Sequence, residues 1–166
     1  MDFLQWVEQT GFATWVRESS SLWAYPAILF LHTMGLAVVV GLSAGIDFRI
    51  LGLAPRVPLS PLARLFPVMW AGFVVNALSG TVLLMADATT KLPNPVFYVK
   101  LVFIGLALGD MQLLRTKVCA DPYVDKRPLS THAKVLALTS LLFWIGATTA
   151  GRLMALTCRE QTRFRQ

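Results

Sequence analysis

Residues 28–46 read ILFLHTMGLAVVVGLSAGI, nineteen residues without a formal charge, interrupted only by His32. A hydrocarbon core about 30 Å thick takes about 20 mostly apolar residues at 1.5 Å each, so this stretch has the length of a transmembrane helix. The rest of the chain repeats the solution. Spans are predicted at about 22–46, 65–86, 96–114 and 132–156. The fold class is therefore all-α: an integral membrane four-helix bundle, with residues 1–166 as a single transmembrane domain.

Composition agrees. The chain is 55% hydrophobic and only 14% charged, with a mean hydropathy of +0.60, whereas soluble domains carry roughly 25% charged residues. The net charge of +6 comes from basic residues in the gaps between apolar runs and at the C-terminus. That distribution describes membrane-flanking anchors and no nucleic-acid footprint. Cys119 and Cys158, at opposite ends of the last span, are too far apart for a disulfide. With Asp2 and Glu8 in place of a basic n-region, no cleavable signal peptide is expected.

Residues 1–18, MDFLQWVEQTGFATWVRE, place Leu4, Val7, Gly11 and Trp15 near one helical face. They read as an amphipathic interfacial helix, with Trp6, Trp15, Trp23 and Tyr25 as an aromatic belt. In the first span Ala37, Gly41 and Gly45 recur every four residues, a small-residue stripe nearly opposite His32. Such a stripe admits a close helix neighbour, in the bundle or in an oligomer or larger membrane complex. Asp47 to Arg64 reads as a basic, proline-rich connector in which Ser60 and Pro61 start a helix and Pro67 bends or delays the second span. Gly72, Asn76, Ser79 and Gly80 share a face assigned to the interior. Lys100 and Asp110 lie in the third span, and the tail after Leu156 is expected to be interfacial or disordered.

Four spans put both termini at one end of the bundle, here end A; the opposite end is end B. Basic residues divide almost evenly, seven to eight. Around the first span Arg17 precedes while Arg49, Arg56 and Arg64 follow, which favours termini outside the cytoplasm.

An ionisable residue deep in a span is a functional-site hypothesis by default, and His32 is the sharpest one here. Asn76 and Trp144 fall at similar expected depth. Three readings stay open: a packing histidine bonded to Asn76 or a hydroxyl, a haem ligand, or a metal or proton pathway. His132, the only other histidine, starts the fourth span at end B, more than about 10 Å from His32 in depth at 1.5 Å per residue. That spoils an intramolecular bis-histidine haem. Asp110 and His132 form a second candidate, a carboxylate and imidazole suited to a divalent metal, against a plain ion pair of Asp110 with Arg115 or Lys134. Asp87 and Arg152 are a further candidate pair at end A. No phosphate loop, HExxH or nucleophile elbow occurs, so enzyme activity by the chain alone is not expected.

The runs SLWAYPAILFLHTMGLAVVVGLSAGIDFRILG and FPVMWAGFVVNALSGTVLLMADATTKLPNPVFYVKL resemble an uncharacterised bacterial inner-membrane family of four-helix proteins. More distantly, LHTMG is similar to the histidine-bearing helices of copper-resistance-D-type domains and b-type cytochrome bundles. That resemblance implies His32 as a ligand to haem b or copper, although those cytochromes pair several histidines. The expected function is a redox-associated or metal-handling membrane subunit centred on His32. Its rivals are a structural or assembly subunit without cofactor and, ranked last for want of a repeat or broken-helix pair, a small-solute transporter.

Overall fold

The computed structural model describes residues 5, 6, 8–11, 14, 15, 24–121, 124, 125 and 128–163, with the backbone alone for Ala24 and for 158–163. Its elements are α1 (Ala24–Leu51), the short α2 (Leu59–Leu62), a 3₁₀ turn (Ala63–Leu65), α3 (Phe66–Ala86), the short α4 (Ala88–Lys91), α5 (Pro95–Leu113), a π-helical turn (Leu114–Val118) and α6 (Thr131–Arg163). Among the described residues there is no strand. Four segments are long and apolar enough to cross a membrane: Tyr25–Leu51, Leu59–Ala86, Pro95–Val118 and Thr131–Thr157.

α1 and α3 form one hairpin and α5 and α6 a second. The two join where α1 packs on α6. The surface is that of a protein solvated by hydrocarbon. Leu78, Val102 and Ile145 on α3, α5 and α6 are 65%, 62% and 60% exposed, an outward apolar coat that water would not tolerate on so many helices. The chain is a multi-pass membrane protein.

Two apolar clusters fill the interior. The larger, at end B, gathers Ile46 and Ile50 of α1, Phe66 and Met69 of α3, Met111 of α5 and Ala137 of α6. The smaller, at mid-depth, centres on Val39, Ala107 and Trp144.

Several boundaries move from their expected places. α1 continues past Ile46 because Ile46 and Ile50, one turn apart, both enter the end-B core. It stops at Gly52, whose φ of 95° suits a residue without Cβ. Gly52 N–H donates to Arg49 O at 3.2 Å and Leu53 N–H to Phe48 O at 3.0 Å, the paired bonds of a Schellman ending. Asp47 is thereby inside a helix and not in a connector. The start at residues 59–61 draws its cap from a distance: Leu59 N–H donates to Asp125 Oδ1 at 2.6 Å and Ser60 N–H to Asp125 Oδ2 at 3.1 Å. Pro67 does delay α3, which follows the 3₁₀ turn. α6 continues helical to Arg163, beyond the expected end at 156. The expected interfacial helix at 1–18 lies largely outside the described residues, though Gln9 N–H to Gln5 O and Thr14 N–H to Thr10 O run in helical register.

Candidate functional site

His32 sits on the α1 face turned to α3, where Gly35 and Gly72 let the two backbones meet. A Cβ on Gly35 would stand 2.7 Å from Gly72 O and 2.8 Å from Asn76 N. One turn further toward end A, Gly80 leaves room for the imidazole, whose Cε1 lies 2.9 Å from where a Gly80 Cβ would be. The interior face expected for Gly72, Asn76, Ser79 and Gly80 is thus the face that receives His32.

His32 Nδ1 lies 2.9 Å from the main-chain oxygen of Asn76. A carbonyl only accepts, so Nδ1 carries the proton. Ser79 Oγ, 3.3 Å away, is a second, longer acceptor, its own proton being directed to Val75 O at 2.6 Å. Asn76 Nδ2 in turn donates to the His32 main-chain oxygen at 2.7 Å. Both hydrogen bonds of the ring leave from Nδ1. Nε2 is left with its lone pair, and it is not sealed inside the bundle, since Asp47 Oδ1 alone stands as a buried unpartnered side-chain atom among the described residues. A backbone-anchored Nδ1–H with a bare Nε2 is an arrangement shared by metal-binding histidines and by histidines that only tie two helices together.

No family model, curated protein or solved structure matches the chain.

Next to Asn76, the interior holds a cavity of about 10 Å³, lined by Leu36, Val39, Phe73, Asn76, Ile104 and Trp144. It is water-sized at most, so it takes no haem, and His32 does not line it. The donor set is equally restrictive: among the described residues no three His, Cys, Asp or Glu side chains converge. His32 offers one ligand, not a complete centre.

The second candidate does not assemble. Asp110 Oδ2 accepts from Thr139 Oγ1 at 2.7 Å. His132 is exposed at the start of α6, two turns before Thr139, and no hydrogen bond or ion pair joins it to Asp110. The carboxylate has instead taken the hydroxyl that the helix crossing presents, and it also leaves Arg115 and Lys134 unpaired with it. Asp87 pairs with Lys91 at 2.9 Å rather than with Arg152, because residues i and i+4 share a helix face. Trp144 is buried but serves a different level: its Nε1–H donates to Ser43 Oγ at 3.1 Å, eleven residues beyond His32 on α1.

The stripe of Ala37, Gly41 and Gly45 is exposed, and a Cβ at Gly41 or Gly45 would meet nothing within 4 Å. The helices inside the bundle approach through Gly35 and Gly72 instead.

Sequence reading overlooked a buried polar group at end B. Asp47 is 0% exposed, with Ser43 and Ser140 buried at 2% and 0% beside it. The signal lay in Ser43 and Asp47 being four residues apart on one helix face, hidden by ending the span at the first charge.

Proposed function

We propose that the chain is a small multi-pass subunit of a bacterial cytoplasmic membrane, with its termini outside the cytoplasm, that lends one imidazole to a redox or metal centre completed by a partner. The observation that carries this is the anchored Nδ1–H and bare Nε2 of His32. Imidazole suits copper, iron and zinc alike; His32 would hold a copper ion or a haem iron through Nε2, with the remaining donors supplied by a second copy or a larger subunit. The exposed Ala37, Gly41 and Gly45 face, nearly opposite His32, supports assembly without obstructing Nε2. The excess of basic residues after the first span supports the orientation.

A structural role is the second reading, favoured by one observation: every hydrogen bond of the His32 ring goes to α3. There the imidazole is a latch between α1 and α3. The visible absorption spectrum and metal content of the complex extracted in mild detergent separate the two. The proposal expects a Soret band or bound copper that His32→Ala abolishes while the complex still assembles. A colourless, metal-free complex in both proteins establishes the latch and overturns the proposal.

A further inference from the structure

Asp47 presents an unusual chemical situation. Its side chain is wholly buried between α1 and α6, and Oδ1 has no hydrogen-bond partner. Its hydroxyl neighbours are Ser140 and Ser43, whose Oγ lies 3.5 Å from Oδ2. Ser43 Oγ also lies 3.4 Å from Ser140 Oγ and accepts from Trp144 Nε1. Among the described residues no lysine or arginine forms an ion pair with Asp47. Arg49, the nearest cation along α1, is turned to the main-chain oxygen of Val57.

A carboxylate stripped of water and lacking a cation is strongly disfavoured, and proteins do not leave that cost standing. It is removed when a cation occupies the bare oxygen. The oxygens present are the carboxyl itself and two hydroxyls, one of them already accepting from an indole. Calcium takes six to eight oxygen ligands and magnesium about six, so this set is too small for either. A proton needs one oxygen and one acceptor, and the hydroxyls of Ser43 and Ser140 supply acceptors. We infer that Asp47, flanked by Ser43 and Ser140, is a proton-binding site inside the membrane-crossing part of the bundle, about one helical turn from end B.

The groups around it fit a neutral acid. From α5 the nearby ionisable group is Asp110, itself held by Thr139 of α6; from the loop after the π-helical turn it is Cys119. Both become anionic or stay neutral, so neither compensates a second negative charge. α3 contributes Phe66 and Met69 to the same end of the core, which are apolar. The site is separate from His32 and stands whether or not a metal binds there.

Infrared spectroscopy of the full chain in lipid bilayers tests the inference. At neutral pH the wild type is expected to show the C=O stretch of a protonated carboxylic acid, shifted in D₂O, which Asp47→Asn removes and Asp110→Asn keeps. A wild type showing only carboxylate bands, or a band unchanged in Asp47→Asn, overturns it. Should Asp47→Asn fail to fold, Ser140→Ala keeps the acid and alters its acceptor, so the band is expected to move; an unmoved band contradicts the site. Loss of the band on exchanging choline chloride for sodium chloride at equal ionic strength would mean a metal cation and not a proton, and would likewise overturn it.

Discussion

Asn76 holds His32 from both directions: its main-chain oxygen accepts from the ring at 2.9 Å, and its side-chain amide donates to the His32 main-chain oxygen at 2.7 Å. Only the second bond depends on the Asn76 side chain. Asn76→Ala should therefore keep the histidine tautomer while weakening the α1–α3 contact. Hydrogen bonds between membrane helices are worth about 0.6 kcal/mol on average and up to about 1.7. A loss of that order is expected in a reversible unfolding titration in mixed micelles. A loss far above it would mean that the amide does more than bridge two helices.

Glycine substitutions should separate the face that packs from the face that does not. At Gly35 an added methyl would strike backbone atoms of α3 at 2.7 and 2.8 Å, and backbone cannot step aside, so the helices must part. Gly35→Ala is expected to cost about 1–3 kcal/mol, the range for overpacking. Gly41→Ala meets nothing within 4 Å and should be neutral or slightly stabilising in the isolated chain, alanine being the better helix former by about 1 kcal/mol. In the assembled complex Gly41→Ala should weaken association if the stripe is a docking face. Sedimentation in density-matched detergent, alongside unfolding, measures both.

Two long-range ties show why only part of this was legible. The count of the four spans follows from long apolar runs with few charges, which lipid demands whatever the tertiary structure. The end of α1 does not: Asp47 looks like a boundary until Ile50 and the Gly52 ending are seen to carry the helix on. Small-residue periodicity marks Ala37, Gly41 and Gly45 for close packing, yet the contact falls on Gly35, which has no repeat to announce it. Nor does anything near Leu59 reveal that its amide is capped by Asp125, sixty-six residues away.

That cap is sensitive to acid. Hydrogen bonds from the Ser60 side chain and from the Leu59 and Ser60 amides hold the Asp125 carboxyl below the ordinary carboxylate range. A lowered carboxyl stabilises the fold above the unfolded value of about 3.9 and loses that contribution as pH falls through the lower folded value. Amide exchange at Leu59 and Ser60 should accelerate across that window. Asp125→Ala, which removes both acceptor oxygens, should reproduce the change at neutral pH, at about 1 kcal/mol as for other N-cap losses. Exchange that is flat with acid would contradict the cap.

Cys119 should be chemically quiet. Burial, the larger cause, together with the nearby Asp125 carboxylate, pushes its thiol up to about 11. The folded state thus favours the protonated thiol, and this contribution to stability is lost as pH rises past the unfolded value of about 8.5. In a Cys158→Ser background, alkylation by iodoacetamide at neutral pH should run roughly two orders of magnitude slower than for a free thiol of pKa about 8.5. Mass spectrometry of timed aliquots gives the rate, and a rate equal to the free thiol's would show Cys119 to be open to solvent.

The bare nitrogen of His32 is the most direct point of test. With His132→Gln leaving a single histidine, ¹⁵N magnetic resonance of the histidine-labelled chain in lipid bilayers reads each ring nitrogen separately. A proton on Nδ1 and none on Nε2 is the predicted result, with Nε2 shifting further when copper is supplied together with the partner. A proton resident on Nε2 would leave no lone pair to offer and would contradict the account.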